Sequence, residues 1–177
     1  MHLQQHVPIV AAVLWVAVFF GGCASTVTVQ QPMSPSNATG RNIQRFEISS
    51  KPGVALPIKL RSALDAKMTA SIAAAQQPKS GPPIYLSIEI DKAQIADRAL
   101  STGVGIVISP VLGSVVGGNS LHGTVTAHDA ETNKVVGKFR VDIDKNWGGA
   151  SAFVNLEEEM AEMFVTKTMQ AILGKPV

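Results

Sequence analysis

The sequence predicts an α+β fold, a two-layer sandwich in which two helices pack on one face of a mainly antiparallel sheet. Apolar residues recur every third or fourth position over 60–75 and over 160–172, which is the period of an amphipathic helix. Residues 84–91 alternate between apolar and polar, and residues 121–129 and 134–144 flank a short polar turn, as in a β-hairpin. Helices and a sheet that each have one apolar face can bury those faces against each other.

These elements follow along the chain in the order β-α-β-β-β-α. The first strand is expected over 43–48. Pro57 can take the first position of the next helix, which ends before Pro78. The apolar stripe of this helix is Leu60, Leu64, Met68, Ile72 and Ala75.

The second strand and the hairpin form the middle of the predicted sheet. The turn of the hairpin ends at Asn133, a residue type that tolerates the left-handed backbone conformation. The residues expected to face the core are Ile84, Leu86, Ile88, Ile90, Leu121, Gly123, Val125, Ala127, Val135, Gly137, Phe139, Val141 and Ile143. The opposite face then holds His122, Thr124, Thr126, His128, Lys138, Arg140, Asp142 and Asp144.

The closing helix has the clearest boundaries. Asn155 and Glu158 have the spacing of an N-cap and its capping-box glutamate, and Gly174 marks the end. Its apolar stripe is Met160, Phe164, Val165, Met169 and Ile172.

Cys23 is the only cysteine in the chain, and it follows an apolar run that ends in Phe20-Gly21-Gly22. This segment resembles the signal peptide and lipobox of a bacterial lipoprotein. The apolar run of about 14 residues has the length of a signal segment and is short of a transmembrane span. The resemblance implies cleavage before Cys23, transfer of diacylglycerol to its thiol, and acylation of the new amine. An ordinary signal peptide with an unmodified cysteine is the alternative, and it too predicts a protein outside the cytoplasm.

The chain is therefore divided into three parts. Residues 1–22 are the lipoprotein signal peptide, and residues 23–41 are the lipidated cysteine with a flexible tether rich in Ser, Thr, Gln and Pro. Residues 42–177 are a single α+β domain that contains an apolar, Gly-rich insert at 102–118.

The insert carries no charge, and small residues recur in it at every fourth position. Such a stripe lets helices approach each other closely in membranes, which favours a membrane-contacting or self-associating segment. Pro110 and the many glycines favour instead a flexible crossover that packs on the sheet edge. The residues of the stripe are Gly105, Ser109, Gly113 and Gly117.

No pattern in the sequence indicates catalysis. It has no nucleophile elbow and no phosphate-binding glycine motif, and its net charge of +2 is too small to predict nucleic-acid binding. His122 and His128 lie about 20 Å apart along an extended strand, too far for one metal ion. We therefore expect no enzyme activity, cofactor, metal or nucleic acid.

Trp147 stands on a glycine-flanked loop and is the residue predicted to contact a partner protein. The alternative is that its ring folds back and caps the core.

The hairpin residues 129–137, the Gly-Gly-Ala-Ser run at 148–151 and the order of elements resemble the small domain at the N-terminus of TolB. They also resemble bacterial lipoproteins of unknown function with this arrangement. That resemblance implies a non-enzymatic envelope factor that binds a partner protein.

Ala24, rather than Asp, follows the cysteine, which by resemblance to enterobacterial sorting implies an outer-membrane lipoprotein facing the periplasm. The expected role is binding or scaffolding of another envelope component, in an oligomeric state that the sequence leaves open. The alternative role is membrane activity or self-association through 102–118.

Overall fold

The computed structural model describes residues 23–33, 42–75, 81–95, 118–145 and 155–174. In this part of the chain, five strands form one mixed sheet and two helices pack against it, which confirms the predicted α+β class. The elements are β1 (Cys23–Gln31), β2 (Asn42–Ser50), α1 (Ile58–Ala75), β3 (Pro83–Gln94), β4 (Asn119–Asp129), β5 (Val135–Lys145) and α2 (Leu156–Leu173).

The strands lie in the order β1-β5-β4-β3-β2. All neighbouring pairs are antiparallel except β2 and β3, which run parallel. Parallel neighbours need a crossover connection, and α1 provides it. The sheet is therefore mainly antiparallel, as predicted, with one parallel edge pair that the sequence pattern does not reveal.

The core lies between the helices and one face of the sheet. The apolar stripes predicted for the two helices are buried, except for Ala75, which is partly buried. Each large apolar side chain that is buried in this way contributes roughly 1.5–3 kcal/mol relative to an exposed one. The strands contribute Ile43, Ile48, Ile84, Leu86, Ile88, Ile90, Leu121, Val125, Ala127, Phe139, Val141 and Ile143.

The structure corrects the predicted tether over 23–41 in its first part, because Cys23–Gln31 form the edge strand β1. Val27 lies opposite Val141 of β5 and packs on the core. Met33 also packs there, against the backbone of Gly137. The composition of this segment is polar, but its alternation of Thr and Val suits a half-buried edge strand. Residues 34–41 lie outside the described residues.

A bulge changes the predicted burial at the start of β5. The register shifts between Ala127 and His128, so that Val136 packs against the core and Val135 is 40% exposed. Strict alternation predicts that Val135 faces the core. This prediction is wrong, because β5 has one extra residue at the bulge and Val135 is therefore shifted to the opposite face of the sheet. The preceding turn matches the prediction, since Asn133 has a φ of 58°.

The ends of α2 are at the predicted residues. Asn155 is the N-cap, but its side chain makes no capping hydrogen bond, so the predicted capping box does not form. Gly174 adopts the left-handed conformation, with a φ of 64°, and its N–H donates to the carbonyl of Ala171. No helix among the described residues is long and apolar enough to cross a membrane.

Candidate functional site on the polar face of the sheet

The sheet face opposite α1 and α2 is lined with polar side chains, and we call it the polar face. Its residues alternate with the core residues of β3, β4 and β5. His122 lies opposite Asp142, and Thr124 lies between Glu89 and Arg140, which confirms the predicted sharing of one face.

Arg140 is at the centre of the charge network on this face. Its Nη1 and Nη2 atoms donate to the two carboxylate oxygens of Asp91 at 2.5 and 3.1 Å. Its Nε donates to Asp142 Oδ2 at 3.2 Å. The hydrogen bond from Arg140 lowers the pKa of Asp91, and the bond to Asp91 raises the pKa of Arg140. The Asp91 side chain is only 11% exposed, so this fork is a partly desolvated, charge-assisted pair.

His122 extends the network toward the end of the sheet where β1 begins. Its Nε2 lies 3.0 Å from Asp144 Oδ1, and its Nδ1 lies 3.5 Å from Asp142 Oδ1. Ser120 Oγ donates to the same Asp144 oxygen at 2.7 Å. Burial opposes ionisation of Asp144, but the hydrogen bonds from Ser120 and His122 together lower its pKa. The ring of His122 therefore lies between two carboxylates, with one ring nitrogen near each.

A second cluster lies at the other end of the polar face. The rings of Tyr85 and His128 are stacked, with centroids 4.5 Å apart and planes 5° apart. The Cζ atom of Arg45 lies 4.8 Å from the Tyr85 centroid, and Tyr85 Oη donates to Asn133 Oδ1 at 2.6 Å. Arg45, Tyr85 and His128 are cross-strand neighbours, so this cluster forms a broad planar surface with a positive rim.

A groove of about 390 Å³ lies on the other side of the sheet, between β1 and α2. Lys145 forms an ion pair with Glu159 beside it. The sequence does not reveal this groove, because its β1 wall belongs to the segment predicted as a tether. Its lining residues include Ser25, Asn155, Glu158, Glu159, Glu162 and Met163.

The described residues contain no group of three or more His, Cys, Asp or Glu side chains that could hold a metal ion. His122 and His128 belong to separate clusters, as their spacing predicts.

The residues singled out by the sequence have different outcomes. Cys23 is the first residue of β1 and pairs with Lys145 of β5. Trp147 lies outside the described residues, and so does the insert up to residue 117. The small residues of its stripe, Gly105, Ser109, Gly113 and Gly117, are therefore outside them too.

Sequence reasoning identified the charged residues of the polar face but not the fork between Asp91 and Arg140. These two residues are on β3 and β5, with β4 between them. A register shift between Ile90 and Lys92 occurs at Asp91 itself, so simple alternation does not predict its neighbours.

No protein-family model matches the sequence, and no curated protein sequence matches it. Among solved structures, a PelC dodecamer from Paraburkholderia phytofirmans is 14% identical with a TM-score of 0.48. A variant of it with one substitution is 17% identical with the same TM-score, and both alignments cover 86% of this chain and 100% of PelC. A "putative lipoprotein" from Caulobacter crescentus CB15 is 17% identical with a TM-score of 0.36, over 73% of this chain and 93% of that one. At such identities and TM-scores, these similarities carry no functional conclusion.

Proposed function

We propose that the mature protein is a lipid-anchored protein of the cell envelope that binds or scaffolds another envelope component and catalyses no reaction. The observation that carries the proposal is the position of Cys23. It directly follows the apolar run and Gly21-Gly22, which is the place of the modified cysteine in a lipobox.

Cleavage before Cys23 would leave every described strand and helix intact, because all of them lie within 23–173. Two or more acyl chains at Cys23 would give stable membrane attachment, whereas a single chain gives only marginal binding. We extend the proposal to the periplasmic side of an outer membrane, because Ala24 and not Asp follows the cysteine.

The polar face supports a binding role rather than a catalytic one. Its central charges are paired with each other, Arg140 with Asp91 and Asp142, and His122 with Asp142 and Asp144. Such mutual pairing holds the side chains in fixed positions, which suits selection of a partner by charge complementarity. The sequence resemblance of the hairpin to the TolB domain is a further reason to propose a protein partner.

The anchor is tested by Cys23→Ser in the producing cell. We expect the wild-type protein to sediment with membranes after a high-salt wash and the variant to be released into the soluble fraction. Membrane association that is unchanged in Cys23→Ser would refute lipid anchoring.

The binding face is tested by photo-crosslinking in intact cells. A photoreactive residue at Lys138 would report on the polar face, and one at Ala74 on α1 is the matched control, since both positions are exposed. We expect one envelope protein to crosslink from position 138 and not from position 74. Equal products from both positions, or none from 138, would contradict a partner on this face.

A further inference from the structure

We infer that the end of the sheet at which β1 begins rests on the membrane surface, with an exposed apolar tip at residues 54–58 in contact with lipid. We call this end the anchor end. The inference rests on the proposed acylation of Cys23 and adds an orientation and a contact site to it.

The strand register places the relevant segments at one end of the sheet. Cys23 of β1 pairs with Lys145 of β5, and Lys145 pairs with Asn119 of β4. The next pair along the sheet is Ser120 with Gln94 near the end of β3. Because β2 runs parallel to β3, the connection from β2 to α1 leaves the sheet toward the anchor end. The last pair of β2, Ser50 with Ile90, lies four residues before Gln94, or about 13 Å short of that end.

The correction of the tether determines how close this end lies to the membrane. Since Cys23 already lies in β1, the acyl chains would be attached to a residue of the sheet itself. One residue of extended chain spans only about 3.5 Å, so the anchor end cannot move far from the lipid headgroups. The connection after β2 is four strand spacings from β1, or about 19 Å across the sheet. Its residues 51–57 are long enough to extend over the remaining distance of about 13 Å toward the membrane when the anchor end faces it.

The side chains of this connection fit an apolar contact. Val54 and Leu56 turn inward and pack on the core. Ala55 and Pro57 are exposed, and Ile58 is 85% exposed, compared with 53% for Val29 among the other exposed large apolar residues that the structure describes. Residues 54–58 carry no charge, so nothing in the tip opposes its entry into the interfacial region of a bilayer.

The tip itself is apolar, and part of the charge around it is paired. Lys51 near the tip forms ion pairs with Glu89 and Asp91. Lys145 at the anchor end pairs with Glu159, and the first turn of α2 brings acidic residues to the same end. Lys59 beside the tip and Lys92 on β3 are exposed, so the described part of this end also presents positive charge. On uncharged phosphatidylcholine vesicles, attachment through the apolar tip should nevertheless be insensitive to salt.

Two other orientations fit the side chains less well. A domain lying on the β1 edge would bring Val29, which is 53% exposed, to the lipid, but it would also press the exposed Thr26, Thr28 and Gln30 against it. A domain that stands away from the membrane would leave Ile58 in water. The turn at the opposite end of the sheet contains Glu131 and is farthest from the anchor.

The test uses the natively processed protein in phosphatidylcholine vesicles, with its mass first measured to establish the acylation of Cys23. A cysteine carrying an environment-sensitive fluorophore is introduced as Ala55→Cys, Thr28→Cys or Glu131→Cys, one at a time. All three native residues are exposed, and the acylated Cys23 thiol cannot react with the dye. We expect nitroxide lipids to quench the label at position 55 at least threefold more than the labels at 28 and 131, at both low and high salt.

Ile58→Gln in the Ala55→Cys background should reduce that quenching by half or more with an unchanged melting temperature, because Ile58 is outside the core. Quenching at 55 no stronger than at 131, or stronger quenching at 28, would overturn the orientation while the anchor remains. An unmodified Cys23 in the mass measurement would overturn the proposed function and the orientation together.

Discussion

The ring of Phe164 in α2 lies on the backbone of Gly123 in β4. A Cβ atom at position 123 would lie 3.1 Å from Phe164 Cζ, 3.0 Å from Ile90 Cδ1 and 3.1 Å from the carbonyl oxygen of Glu89. The absence of a side chain at Gly123 thus lets a buried aromatic ring of the helix layer reach the centre of the sheet.

This contact predicts that Gly123→Ala destabilises the domain. The added methyl meets a backbone atom and two buried side chains that cannot all move, so we expect a loss of about 1–3 kcal/mol of unfolding free energy. Urea denaturation measures it. Gly137→Ala is the matched control. The three atoms nearest to its added methyl belong to the side chains of Met33 and Phe139 and none to the backbone, so the neighbours can shift and the loss should be smaller. A loss in Gly137→Ala as large as that in Gly123→Ala would contradict the packing described.

The fork between Arg140 and Asp91 predicts a loss of stability in Asp91→Asn. The native carboxylate accepts two hydrogen bonds from the guanidinium, so we expect the variant to lose about 1.5–3 kcal/mol at pH 7. Glu89→Gln is the control. Glu89 and Lys51 are both half exposed, and breaking such a pair should cost less than about 1 kcal/mol.

The same carboxylate predicts a dependence of stability on pH. Because the pKa of Asp91 is lowered in the folded state, its contribution is complete above the ordinary aspartate pKa of about 3.9. It is lost as the pH falls from there through the lower pKa of the folded state. The difference in unfolding free energy between wild type and Asp91→Asn should therefore shrink as the pH falls below about 4. A difference that stays constant over this range would show that Asp91 is not held ionised by Arg140.

The strand β1 predicts that residues 24–31 are protected from exchange. A flexible tether would exchange its amide hydrogens within seconds, whereas the strand paired with β5 should be protected at alternate amides. Hydrogen-exchange mass spectrometry measures this directly. Val27→Ser, which removes an apolar contact with the core, should reduce the protection and lower stability by about 1 kcal/mol. Thr28→Ser, at an exposed position of the same strand, should change neither.

Hydrophobic periodicity was sufficient to predict two helices, the central strand and the hairpin. Where the apolar period is unbroken, as in Ile84 to Ile90 or Met160 to Ile172, one buried face follows directly from it. Periodicity does not predict the burial of residues next to a bulge, or strands that depend on pairing with a distant part of the chain. The bulge at His128 exposed Val135, and β1 needed the partner β5 to become ordered despite its polar composition. The predicted capping box is absent, because Asn155 occupies the N-cap position but its side chain makes no hydrogen bond to the first turn of the helix.

The candidate site was predicted in part. The parity of the hairpin placed His122 and Arg140 on one face, and the structure confirms it. The pairing of Arg140 with Asp91 crosses an intervening strand and depends on a register shift, neither of which leaves a local pattern in the sequence. Trp147 stays a prediction, because it lies outside the described residues.

The central claim is that the folded domain begins at a lipid-modified Cys23, and intact mass spectrometry of the protein from its native membranes tests it most directly. We expect the mass of a chain that starts at Cys23 and carries diacylglycerol on the thiol and an acyl chain on the amine. A chain that begins upstream of residue 23, or a free thiol at that position, would contradict it.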